Sequence, residues 1–95
     1  MAAYLVGQIL GVKDPARFGE YREKVGATMV PYGGKLRVAG GKVDVLEGDW
    51  QPALVIVEFE SVERAQAWYD CEEYRRLKEL RHGAADVQLI IVEGV

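Results

Sequence analysis

The chain has 95 residues, with 12 basic and 15 acidic side chains and a net charge of −3. It is too short for two independently folded domains of the usual ~100–150 residues, and no Lys/Arg cluster offers the footprint of a nucleic-acid binder. Apolar residues make up 49% and charged residues 28%, an ordinary globular balance that argues against disorder, and no apolar run approaches the ~20 residues of a membrane-spanning helix. One domain over residues 1–95, with neither nucleic acid nor a membrane as partner, is the expectation.

Met1-Ala2-Ala3-Tyr4-Leu5-Val6 lacks the basic segment and long apolar stretch of a secretory leader. Cys71 is the only cysteine, so an internal disulfide is impossible and a reducing, cytoplasmic setting is expected.

From Ala3 to Val12 the residues alternate, Tyr4, Val6, Gln8 and Leu10 on one side and Leu5, Gly7, Ile9 and Gly11 on the other, which predicts a first strand. Asp14-Pro15 is a helix start, the aspartate capping free amides and the proline losing no hydrogen bond at the first helical position. Phe18, Tyr21, Val25 and Met29 follow at helical spacing, and Pro31 with Gly33-Gly34 turns the chain out of the helix.

Lys35 to Leu46 reads as a second extended segment, interrupted at Gly40-Gly41 by a bulge or a close backbone approach. The polar turn Glu47-Gly48-Asp49-Trp50-Gln51-Pro52 precedes Ala53–Phe59, the strongest strand signal, which is expected to be central. Ser61 caps a helix striped by Ala65, Trp68 and Tyr69. The stripe falters at Asp70-Cys71-Glu72-Glu73 and resumes with Tyr74, Leu77 and Leu80 as far as Gly83, predicting two short helices or one broken one. Val87–Val92 is the last strand. Superposing Asp14 on Ser61 aligns Arg17 with Arg64, Phe18 with Ala65 and Tyr21 with Trp68, a faint repeat that fits two βαβ halves.

The order β-α-β-β-α-β satisfies layer packing as an α+β, ferredoxin-like sandwich: a four-stranded antiparallel sheet with its helices on one face. The third strand, however, carries Leu54 and Ile56 on one side and Val55, Val57 and Phe59 on the other. A sheet with one wet face alternates polar and apolar residues, so this pattern calls for a second layer. A twofold-related copy of the same chain, packed sheet face to sheet face, is the expected supplier.

These residues resemble the domain-of-unknown-function family numbered 1330, within the dimeric α+β barrel superfamily. The resemblance spans essentially the whole chain and is carried by Tyr32-Gly33-Gly34, Gly40-Gly41, Glu47-Gly48-Asp49-Trp50, Glu58-Phe59, Ala67-Trp68-Tyr69, Glu73-Tyr74, Leu80-Arg81 and Val92-Glu93-Gly94. It implies a barrel dimer with a cleft between helices and sheet, related to families of cofactor-free oxygenases, isomerases and haem-handling proteins. It brings no assigned reaction, and fold alone transfers no catalytic residues.

Two side chains are candidates for proton transfer. His82, the only histidine, is of the residue type best suited to proton transfer near neutrality and could act as a base or ligate haem, although its place before Gly83 favours an interaction with the helix end. Glu58 interrupts an apolar strand, where a buried carboxylate needs a partner or a raised pKa; Arg37, Arg64 and Arg81 are the candidate partners, and a structural ion pair is the blander reading. Tyr32, Arg37, Trp68 and Tyr69 are the candidate substrate-binding residues, the aromatic surfaces of Tyr32, Trp68 and Tyr69 suiting a flat or partly apolar molecule, with core packing as the alternative for the aromatics.

Trp50 is placed either over the cleft or against a partner subunit. One His, one Cys and scattered carboxylates do not make a structural metal site, and no cofactor is expected. Gly40-Gly41-Lys42-Val43 lacks the Ser/Thr and following helix of a phosphate loop. Cys71 has no histidine arranged to activate it and reads as a packing residue. The residues leave two functions open: a small-molecule enzyme working in the cleft, or a non-catalytic ligand-binding or structural dimer.

Overall fold

The computed structural model describes residues 1–50 and 53–95. In chain order these form β1 (Ala3–Val12), α1 (Pro15–Met29), a 3₁₀ turn (Val30–Tyr32), β2 (Lys35–Ala39), β3 (Leu54–Phe59), α2 (Val62–Asp70), α3 (Glu72–His82) and β4 (Ala85–Glu93). The strands make one antiparallel sheet in the order β2-β3-β1-β4, which puts β1 and β3 at its centre. This is the expected ferredoxin-like α+β sandwich, with the second helical region divided in two.

Local chemistry explains the helix starts. Asp14 Oδ1 accepts a hydrogen bond from the Arg17 amide at 3.2 Å, and Ser61 Oγ accepts one from the Arg64 amide at the same distance. The positions aligned by the faint repeat are therefore equivalent caps. The break between α2 and α3 is made by Cys71, whose extended backbone ends one helix and whose sulfur accepts from the Tyr74 amide at 3.5 Å to start the next. Glu72 and Glu73 in the first turn of α3 favour that start through the helix dipole.

The exit from α1 depends on Gly33, whose φ of 77° is left-handed, and on Gly34, where an added Cβ would lie 2.9 Å from both Met29 and Phe59. Both glycines of that pair are needed, one for its backbone angle and one for space.

The second extended segment is shorter than its sequence pattern suggests. β2 ends at Ala39 because Gly40 turns at φ 71°, its amide donating to the Leu54 carbonyl at 2.8 Å, and Gly41–Leu46 forms no strand. The register shift in this hairpin lies between Leu36 and Val38, not at the glycine pair. Of the predicted polar turn, Gln51 and Pro52 lie outside the described residues, and Trp50 is exposed. At the other end, β4 begins at Ala85, two residues before the predicted start, because Ala85 and Asp86 pair with Val12 and Gly11.

Helices cover one side of the sheet. Ala3 and Leu5 from β1, Val57 and Phe59 from β3 and Ala85 from β4 are buried there against Phe18, Tyr21, Ala65, Trp68 and Tyr74. Trp68, Tyr74, Phe59 and Val57 are the largest fully buried side chains; burying each contributes about 1.5–3 kcal/mol. The opposite side carries an apolar row, Val38-Ile56-Val6-Ile90, in register across all four strands. Among the described residues no element packs over it, and Ile90 and Val92 are exposed.

Candidate functional site

Between the helices and the covered face lies a cavity of about 200 Å³. Leu5, Gly7 and Ile9 of β1, with Val55, Val87 and Leu89 from the flanking strands, make its floor. Phe18, Tyr21 and Val25 of α1, Trp68 of α2, and Tyr74 and Arg81 of α3 make its roof. Gly7 has a direct part in the void. It lies between Leu5 and Ile9 on the inward side of a central strand, and a Cβ there would approach Leu89 Cδ2 to 2.9 Å. Arg22, Leu36 and Ala39, all exposed, line the edge where the chamber meets a shallower depression bounded by Gly40-Gly41-Lys42.

The polar groups of this chamber are donors. Tyr21 and Tyr74 join hydroxyl to hydroxyl at 2.8 Å, and the Arg81 guanidinium stands 5.9 Å from the centre of the Tyr21 ring. Burial pushes the Tyr21 phenol well above its ordinary value, and the neighbouring Tyr74 pushes it further; burial also raises Tyr74. Both stay protonated at neutral pH. Arg81 is only 5% exposed, and its buried Nε meets no acceptor among the described residues. The lining contains no carboxylate and no histidine.

The predicted site residues are dispersed by this fold. Trp68 lines the chamber, but its indole N–H is already committed to Thr28 Oγ1 at 2.9 Å, and its ring lies 4.1 Å from that of Tyr74. Tyr69 stands beside Trp68, with Lys78 Nζ 4.4 Å from its ring centre, and does not line the cavity. Tyr32 is half-buried, and desolvation together with the nearby Cys71 raises its phenol.

Glu58 is on the opposite side of the sheet from Trp68, because alternation on β3 turns Val57 and Phe59 inward and Glu58 outward. It is paired there with Arg37 Nε at 3.0 Å, so the carboxylate is neither in the dry core nor joined to Arg64 or Arg81. His82 is exposed in the last turn of α3 and is absent from the cavity lining. Arg81, Tyr74 and Gly7 line the chamber although the sequence assigned none of them to a ligand site: Arg81 was a candidate partner of Glu58, Tyr74 a member of a helical stripe and Gly7 a position on the first strand. Arg81 had a legible signal: it sits seven positions, two helical turns, after Tyr74 on the stripe that faces inward.

The fold defines a class, the α+β domains of ferredoxin-like architecture. Within that class the chain belongs to the family described as domain of unknown function (DUF1330), whose model matches residues 2–95. Among solved structures it is similar to the RPA0582 protein of unknown function from Rhodopseudomonas palustris, with TM-score 0.77, 19% identity, and coverage of 99% of this chain and 82% of that one. It is also similar in fold to SnoaB, a cofactor-independent oxygenase from Streptomyces nogalater, with TM-score 0.67, 9% identity and coverage of 99% and 93%. An ethyl tert-butyl ether d (ethd) family protein from Bacillus halodurans matches with TM-score 0.61, 16% identity and full coverage of both chains, 100% each. No curated protein matches the chain in sequence.

Proposed function

We propose that this protein binds a small, largely apolar molecule in the chamber between helices and sheet, and that it does so as a homodimer in the cytoplasm. The observation that carries the binding reading is the cavity itself: about 200 Å³ of space bounded by apolar and aromatic side chains, with a few convergent polar groups. Its chemistry favours holding a ligand over abstracting a proton. Two tyrosines with raised pKa and two arginines donate hydrogen bonds, and none is a base at neutral pH. Glu58 and His82 would need to act from outside this chamber.

Single-ring aromatic compounds should raise the melting temperature by mass action, and the gain should be lost in a Gly7→Val variant whose new side chain occupies the floor. Equal gains in both proteins would place the binding elsewhere.

The uncovered row Val38-Ile56-Val6-Ile90 supports the dimer, since an apolar stripe across a whole sheet is stabilised by a second sheet packed on it. Sedimentation of the wild type should give twice the chain mass, and Ile56→Lys should shift it to the monomer. A monomeric wild type at micromolar concentration would contradict the pairing. The cytoplasmic assignment rests on Cys71, a free thiol, and no helix among the described residues is long and apolar enough to cross a membrane.

A further inference from the structure

We infer that the ligand is an organic acid, a single-ring or similarly compact apolar carboxylate whose anionic end is received by Arg81 and the Tyr21–Tyr74 hydroxyl pair. The inference rests on the chamber being the binding site and adds the chemical class of what enters it.

Arginine cannot shed its charge inside a protein, so burial there is costly unless an anion or a set of acceptors compensates it. The other basic side chains near acids show what ordinary compensation looks like here: Lys13 with Asp86, Lys24 with Glu20, Arg37 with Glu58, Lys42 with Asp44 and Arg76 with Glu72, all with solvent-exposed or half-exposed side chains. Arg81 is the reverse case. It is 5% exposed, its Nε lacks an acceptor, and no Asp or Glu lies within ion-pair distance among the described residues. The ring of Tyr21 gives it a partial, weaker compensation at 5.9 Å.

The surroundings fit an anion with an apolar body. Arg81 lines the cavity, and a planar guanidinium matches a carboxylate through two parallel hydrogen bonds. In the Tyr21–Tyr74 pair one hydroxyl donates to the other, which leaves the second proton free for a ligand oxygen. Arg22 at the edge adds positive charge along the approach. The rest of the lining is aliphatic or aromatic, which disfavours a bare inorganic ion. A volume of about 200 Å³ exceeds the ~150 Å³ of a cavity that takes up benzene, so one ring with a short acidic substituent fits and a fused polycycle does not.

The test is calorimetric titration of the wild-type protein with benzoate and phenylacetate, with the uncharged benzamide and phenylacetamide, and with chloride and phosphate. The acids should bind about 10- to 100-fold more tightly than their amides, the range expected for charge-assisted hydrogen bonds, and the inorganic ions should not compete at equal concentration. Arg81→Met should abolish the preference for acid over amide while still binding the amide. Arg81→Lys, which keeps the charge, should retain part of the preference and covers the case in which the methionine variant does not fold.

Equal affinity for acid and amide in the wild type would overturn the anion receptor while leaving the chamber as a binding site. Competition by phosphate as strong as binding by the acids would reduce Arg81 to an inorganic-anion site. If no acid and no amide bound at all, the chamber reading would fall and this inference with it.

Discussion

Tyr21 and Tyr74 bring their hydroxyl oxygens within 2.8 Å across a separation of 53 positions in the chain. The bond ties α1 to α3 where water is scarce, and it determines how the roof of the chamber is held. Tyr21→Phe leaves the Tyr74 hydroxyl without this partner, and stability should fall by about 1–3 kcal/mol. The double phenylalanine variant should lose less than the sum of the single losses, as a direct coupling requires. Urea unfolding of all three variants measures this, and strictly additive losses would count against the coupling.

The same pair gives an alkaline signature. In the folded state burial raises both phenols above the 10.0 of a free tyrosine, so the native protein keeps protons that the unfolded chain releases. The stabilisation is therefore complete below about pH 10 and is lost as pH rises through the folded values. Tyr21→Phe with Tyr74→Phe should flatten the decline of unfolding free energy above pH 10. An unchanged slope in the double variant would assign the decline to other groups.

Trp68 is anchored through its only polar atom. Thr28 Oγ1 accepts from the indole N–H at 2.9 Å and itself donates to the Val25 carbonyl at 2.6 Å. Thr28→Val keeps the shape and leaves the indole proton unpaired, with an expected loss of about 1–3 kcal/mol, whereas Thr28→Ser should stay close to wild type. Thermal unfolding of the two variants separates the hydroxyl from the methyl; equal losses would assign the effect to packing.

Gly7 keeps the floor of the chamber open. Valine at this position must displace Leu89, whose Cδ2 would lie 2.9 Å from the new Cβ, and overpacking of this kind costs about 1–3 kcal/mol. Small aromatic acids should bind Gly7→Val at least about tenfold more weakly, a loss of roughly 1.4 kcal/mol of binding free energy. Calorimetry gives the affinity, and circular dichroism confirms that the fold persists. Unaltered affinity would move the site away from β1.

Glu58 and His82 make a contrasting pair of controls. The Glu58 carboxylate meets Arg37 at 3.0 Å on the uncovered side of the sheet, with both side chains partly exposed. Such pairs contribute about 0–1 kcal/mol. Glu58→Gln and His82→Ala should each leave ligand affinity in the chamber within about twofold of wild type, which corresponds to well under 1 kcal/mol. A tenfold loss in either variant would return that residue to the site.

Much of the fold was legible because its signals are local. The caps at Asp14 and Ser61, the stripe Phe18-Tyr21-Val25-Met29 and the alternation from Leu54 to Phe59 each act over a few residues, and each has the predicted effect. The overlong second strand shows where locality misleads, since Val43, Val45 and Leu46 suit a strand but Gly40 has already turned the chain away.

By itself, the sequence determined the order of elements and the presence of two apolar sheet faces, because periods of two and of 3.6 residues assign side chains to faces without reference to distant partners. Tertiary structure decided which face received the helices, and with it that Glu58 stands outside beside Arg37 while Arg81 is shut in beside Tyr21. The chamber belongs to the same level. It exists because Gly7 of β1 lies opposite aromatic side chains from α1, α2 and α3, and a void is a property of how separate elements meet, which no local spacing encodes.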